Sequence, residues 1–142
     1  GDMDIITVLE PIVDHVIIVK NNDGNAYLVQ YQFNALGDLV PGEGYLIKTN
    51  QATSLTVHGA FAKPGLHPIA LQEGWNMVGY LKDEPELVEL VFEDLVDQDI
   101  IQIVKDEQGD VYIPEWYFNG IGDMIPGKGY QVKTFQEGTL QY

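Results

Sequence analysis

DHVIIVKNNDGNAYLVQYQFNALGDLVPGEGYLIKT, residues 14–49, reappears further along the chain as DIIQIVKDEQGDVYIPEWYFNGIGDMIPGKGYQVKT, residues 99–134. The two stretches align without a gap at an offset of 85, and 16 of their 36 positions are identical. The matches include Lys20/Lys105, Gly24/Gly109, Tyr27/Tyr112, Phe33/Phe118, Asn34/Asn119, Gly37/Gly122, Asp38/Asp123, Pro41/Pro126, Gly44/Gly129, Tyr45/Tyr130 and Lys48/Lys133. Such a run at one spacing is the mark of an internal duplication. The fold expected is therefore built twice from one unit.

Each copy reads as a short helix, a β-hairpin and further strands. Val16 to Lys20 and Ile100 to Lys105 are apolar strands that run into NNDGN and DEQGD. Gly24 and Gly109 supply the positive φ that a tight hairpin needs, with Asn and Asp beside them to bond the local backbone. The returning strands are expected over Ala26 to Phe33 and Val111 to Phe118, with Pro114 confining the second to an edge or a break. Gly and Pro in FNALGDLVPGEGY and FNGIGDMIPGKGY mark consecutive turns. Strands follow over Tyr45 to Thr49 and Tyr130 to Thr134, then over Ser54 to Val57 and Thr139 to Tyr142.

The second helix is expected from a cap at Asp83, with Pro85 in its first turn and Glu86 completing a capping box, to about Val96. Leu87, Leu90, Val91, Phe92 and Leu95 would face a sheet, and Glu86, Glu89, Glu93 and Asp97 the solvent. A shorter helix over Asp4 to Leu9 stops near Pro11. The boundaries expected are 1–58 for the first unit, 59–67 for a connector with Lys63, Pro64 and Gly65, and 68–142 for the second unit. Only the second unit carries a PIALQEGWNMVGYL segment, Pro68 to Leu81. The chain reads as a piece of something longer, whose other domains would be its partners.

The 142 residues carry 22 acidic side chains against 7 basic ones, all Lys, for a net charge of −15. Nucleic-acid binding requires a cationic footprint, so that class is excluded, and an anionic membrane surface would repel the chain. No apolar run reaches membrane-spanning length, so membrane insertion is not expected. With no Cys, thiolate metal sites, disulfides and Cys nucleophiles are excluded together. The acidic start, GDMDIITVLE, is not a signal peptide.

Gly74, Trp75, Asn76, Gly79 and Tyr80, followed by Gly120, Gly122, Asp123, Pro126, Gly127, Gly129, Tyr130 and Lys133, resemble the GWN…PGxGY modules of large secreted or surface-attached bacterial proteins. The first copy matches only the later part, with Ala35 in place of Gly120. The resemblance implies an extracellular or cell-surface repeat unit and carries over no catalytic residue.

The residues offer three kinds of site. The turns NNDGN and DEQGD lack an oxygen ligand where an EF-hand loop begins, since Val19 and Val104 stand there. Asn34, Asp38, Asn119 and Asp123 are the better cation candidates, for calcium, although Asn and Asp in turns ordinarily bond their own backbone. No cofactor is otherwise expected. The aromatic sets Tyr27, Tyr31, Phe33 and Tyr112, Trp116, Phe118, with Trp75, have the flat apolar faces that sugar recognition uses. The pattern favours that face as core beneath the helix, which leaves Tyr117, on the opposite face and matched by Gln32, as the aromatic expected in solvent.

Tyr117, Trp116, Tyr31 and Trp75 are therefore the ligand-binding candidates, with polysaccharide as the ligand class. His15, His58 and His67 are scattered, no nucleophile elbow or zinc motif is present, and an enzyme is not expected. The fold class expected is α+β, mostly β: two pseudo-symmetric repeats of antiparallel strands, each with one short helix, packed as one body. The function expected is a non-catalytic structural or binding module. A carbohydrate-binding module of a secreted enzyme and a small hydrolase using paired carboxylates are the alternatives.

Overall fold

The computed structural model describes residues 2–142. It is mostly β, 35% strand and 21% helix, with several antiparallel sheets and few short helices. Asp4 caps the first helix, α1 (Ile5–Leu9), its carboxylate accepting the Thr7 amide at 3.3 Å and hydroxyl at 3.2 Å. Pro11 then tightens the chain into a 3-10 stretch, Glu10–His15. Four strands follow: β1 (Val16–Lys20), β2 (Ala26–Leu28), β3 (Phe33–Asn34) and β4 (Leu46–Thr49). They form an antiparallel sheet in the order β3-β2-β1-β4.

The rest of the chain begins with β5 (Ile69–Leu71), β6 (Gly74–Gly79) and β7 (Glu86–Leu87), followed by α2 (Val88–Val91) and α3 (Glu93–Asp97). It continues through β8 (Ile101–Lys105), β9 (Val111–Ile113), β10 (Phe118–Asn119), β11 (Asp123–Met124), β12 (Gly129–Thr134) and β13 (Gly138–Leu140). The main sheet has the order β10-β9-β8-β12-β6, and the ribbons β11-β7 and β13-β5 flank it. Gly24 at φ 82° and Gly109 at φ 89° occupy the left-handed region at the β1–β2 and β8–β9 turns. Asn21 and Asp106 each accept two amides inside those turns.

Several boundaries differ from expectation, each for a local reason. Residues 83–85 are not helical, because the backbone of Glu86 and Leu87 pairs with Met124 and Asp123 instead. The second helix breaks at Phe92, which has φ −100° and ψ 5° and is fully buried, while Leu90 is exposed rather than facing the sheet. Buried positions on the helices correspond at a spacing of 83, not 85: Ile5, Leu9 and Ile12 against Val88, Phe92 and Leu95. The amide of Ile5 bonds the Gly37 carbonyl (3.1 Å) and that of Val88 the Gly122 carbonyl (3.0 Å), which fixes the same spacing. The two extra residues lie before β8, where Asp99 turns through φ 57°.

Ser54 to Val57 is not a strand. The stretch 85 residues on overlaps β13, which exists because β5 pairs with it from Gly138↔Leu71 to Leu140↔Ile69. No such partner stands beside Ser54 among the described residues.

The larger core joins Leu71, Val78, Tyr80, Val88, Phe92, Leu95, Ile100, Ile101, Val104, Tyr112, Met124, Tyr130, Val132 and Leu140. The smaller holds Ile5, Leu9, Ile12, Val16, Val19 and Tyr27. The halves meet on β6, whose free edge is clasped by the turns at Asn22 and at Gly42 and Gly44, outside the strands of the first sheet. Asn22 Oδ1 accepts the Met77 amide (3.1 Å), the Gly44 amide donates to the Met77 carbonyl (3.1 Å), and the Gly79 amide donates to the Gly42 carbonyl (2.9 Å). Edge strands are ordinarily protected in such ways.

Tyr80 and Tyr142 close the large core edge to face, their ring centroids 5.4 Å apart. Their hydroxyls donate to the Glu84 and Gly79 carbonyls, both at 2.7 Å. Burial, reinforced by the Glu86 carboxylate, pushes the Tyr80 phenol up to about 12, and burial raises Tyr142 as well. A phenol raised in the folded state favours folding while it is protonated. That contribution is whole below the ordinary tyrosine pKa of about 10 and falls as the pH rises through the folded value. Stability is therefore expected to hold to about pH 10 and decline from there to about pH 12. Urea midpoints across that range check this, and a flat profile would contradict it.

Candidate functional site

The returning strands do not run straight to Phe33 and Phe118. After Ile113, Pro114 opens a 3-10 turn, Pro114–Trp116, closed by the Tyr117 amide on the Pro114 carbonyl at 3.0 Å. Tyr117 then takes φ 50° and ψ 31°, the left-handed region, and Phe118 and Asn119 fold back to pair with Ile113 and Tyr112. Residues 111–119 thus make a small hairpin with an aromatic tip. The same path is taken by Val29–Tyr31, with Gln32 at φ 50°, and by Phe33 and Asn34 against Leu28 and Tyr27.

This break decides where the aromatics go. Tyr27 and Tyr112, before the turn, are buried as core. Tyr31 (72% exposed), Trp116 (70%) and Tyr117 (97%) stand in solvent, and Phe33 and Phe118 are about half exposed. Assigning Tyr31, Phe33, Trp116 and Phe118 to core is thus corrected, because a period-two reading fails across a turn. Pro114 was the signal in the sequence, and Val29 gives none. The ring of Phe118 rests beside Gly120, where a Cβ would meet it at 3.2 Å.

Trp75 does not join this group. It lies on β6, at the opposite end of the sheet from β10, across from Lys133 in β12. There the Lys133 ammonium stands 5.8 Å from the Trp75 ring centroid, a cation–π contact.

An αL conformation costs a residue with a Cβ about 1–2 kcal/mol, and tyrosine has no side-chain route to recover it locally. At 97% exposure Tyr117 recovers none from packing either. The tip is therefore a place where folding is taxed to hold an aromatic ring in water.

Of the four cation candidates, the two asparagines bond their own turns. Asn34 Oδ1 accepts the Leu36 and Gly37 amides at 2.9 and 3.1 Å, and Asn119 Oδ1 the Ile121 and Gly122 amides at 3.0 and 2.8 Å. Asp38 and Asp123 are exposed, and their backbones bridge to Asp4 and Leu87. Among the described residues no group of three or more His, Asp or Glu converges as a metal would require. Tyr45 and Tyr130 likewise serve the turns, their hydroxyls accepting the Val40 and Ile125 amides at 3.0 and 2.9 Å.

No protein-family model, curated protein or solved structure matched this chain.

Proposed function

We propose that the chain is a non-catalytic repeat module of a secreted or surface-attached protein, made of two pseudo-symmetric units packed as one body, that binds neutral polysaccharide through its aromatic hairpin tips. The observation that carries this is Trp116, Tyr117 and Phe118 presented together in solvent on a turn whose backbone conformation is unfavourable for tyrosine. Support for the repeat comes from matching hairpins, 3-10 turns and αL residues 85 positions apart. The secreted setting rests on the resemblance to GWN…PGxGY modules.

Indole and phenol rings stack on the apolar faces of pyranose rings, and Glu115 beside Trp116 offers a hydrogen-bond acceptor for sugar hydroxyls. The net charge of −15 selects against polyanions such as uronic-acid polymers. Neutral glycans are therefore expected to retard the protein in affinity electrophoresis, and polyanionic ones to leave it unretarded.

Tyr117→Gly is the informative variant. Glycine accepts φ 50° freely, so the unfolding free energy is expected to stay level or rise by up to about 1 kcal/mol. Retardation by neutral glycans is expected to fall severalfold in the same protein. Unchanged retardation in both Tyr117→Gly and Trp116→Ala would overturn the binding site.

A further inference from the structure

In the second unit, β12 is covered along Gly129–Thr134 by β6, and β13 is covered by β5. Both covering strands come from one segment, Pro68 to Leu81. In the first unit, β4 is bonded only to β1, and its other edge is open. The burial difference follows from this. Val132 is 0% exposed and its counterpart Ile47 is 47% exposed; Tyr130, Met124 and Leu140 are buried, whereas Tyr45, Leu39 and Leu55 are only partly so.

The smaller core has six buried residues where the larger has fourteen, and Leu71, Val78 and Tyr80 of the larger one come from the covering segment itself. Beside β4 the surface forms a groove of about 590 Å³ lined by Met3, Val40, Tyr45, Ile47, Val57 and Phe61, and bounded also by residues 79–82 and 126–129 of the second unit.

We infer that this groove and the open edge of β4 receive a strand segment of the Pro68–Leu81 type belonging to another unit of the same kind, added antiparallel to Leu46–Thr49. The inference rests on the repeat reading above, because the second unit supplies its template. The register follows at the offset of 85: Ile47 opposite the incoming Asn, and Lys48 opposite the incoming Trp, as Val132 and Lys133 stand opposite Asn76 and Trp75. The incoming counterparts of Leu71 and Val78 close the groove over Tyr45, Ile47 and Leu55, those of Gly79 and Tyr80 turn away where Gly42 and Gly44 are held by the chain's own β6, and Ser54 to Val57 gains the partner it lacks. Main-chain bonds along the edge supply affinity, and the alternating side chains supply selectivity.

The test is titration of the isotope-labelled full chain with a synthetic peptide, PIALQEGWNMVGYL, followed by NMR. Saturable shifts and slowed amide exchange at Leu46–Thr49 and Ser54–Val57 are expected. Ile47→Asp changes an exposed side chain, so it leaves the fold intact, and it is expected to weaken the peptide by about tenfold or more, the worth of one buried aliphatic side chain. A peptide carrying Asp at the Val78 position is expected not to bind.

No shifts at millimolar peptide, or shifts confined to Gly129–Thr134 through displacement of the chain's own β6, would overturn the inference. Glycan retardation on the same sample keeps the two readings apart. A peptide that fails while retardation persists removes only the strand acceptor, and a peptide that binds while retardation is absent removes only the glycan tips.

Discussion

Replacing Asn76 with alanine is expected to cost about 3 kcal/mol of unfolding free energy, among the largest effects of any single polar substitution in the chain. Asn76 is 4% exposed and sits where β5 passes into β6. Its Oδ1 accepts the Gln72 amide at 2.9 Å, and its Nδ2 donates to the carbonyls of Gln72 (2.9 Å), Gly74 (3.2 Å) and Val132 (3.3 Å). One side chain thus satisfies the backbone of the turn and ties it across to β12. Alanine leaves the part-buried Gln72 amide without its acceptor and the carbonyls of Gln72 and Gly74 with the Thr134 hydroxyl alone, which costs more than the bonds themselves were worth.

Aspartate at the same position is expected to be worse at neutral pH, because a carboxylate would face carbonyl oxygens that now receive a donor. Its folded-state pKa would be raised, so the loss should shrink as the pH falls through the carboxyl range and the protonated oxygen can donate. Urea unfolding of both variants at neutral and acid pH measures this. A cost within about 0.5 kcal/mol for the alanine variant would mean that the turn is held by something else.

Gly44→Ala and Gly129→Ala should differ sharply although the two glycines occupy equivalent places in PGEGY and PGKGY. A Cβ on Gly44 would lie 2.8 Å from the Val78 amide nitrogen and 2.9 Å from the Met77 carbonyl carbon, both backbone atoms of β6. Neither can move aside without opening the clasp that joins the two halves. The expected cost is about 2–3 kcal/mol, the range of forced overpacking. At Gly129 the nearest atom to an added Cβ is the Val78 carbonyl oxygen at 3.8 Å, an ordinary contact.

Neither glycine has a positive φ, so alanine at 129 should be neutral or mildly stabilising, within about 1 kcal/mol. Denaturant midpoints of the two single variants decide the matter. Equal shifts would show that the glycines serve the turn and not the junction.

What the sequence discloses here depends on the range of the interaction. The hairpin turns are legible because Asn21 with Gly24, and Asp106 with Gly109, act within a single five-residue turn each. The aromatic tips were misread at Val29–Tyr31, where nothing local announces the 3-10 turn. Pro114 does so only for the second unit, and a period-two reading of a straight strand, which puts Tyr117 in solvent and Trp116 in the core, passes over it.

Glu86 and Leu87 carry a good helix-start pattern that loses to pairing with Asp123 and Met124, more than thirty residues away. Ser54 to Val57 has strand composition but no partner, and a strand is a property of a pair. The clasp by Gly42 and Gly44 was invisible for the same reason. Both glycines read as turn residues, and their second duty exists only where the chain returns as β6.

The placement of β6 also bears on the order in which the protein assembles during synthesis. Asn22, Gly42 and Gly44 leave the ribosome well before Gly79, and β12, which fills the other edge of β6, emerges later still, ahead of β13 alone. The first unit must therefore wait, with its small core and an unclasped loop, for a strand that is itself unsupported until the final residues appear. Its Lys48, on the open strand β4, is the sort of charge that keeps such an early edge from pairing with the wrong neighbour in the interval.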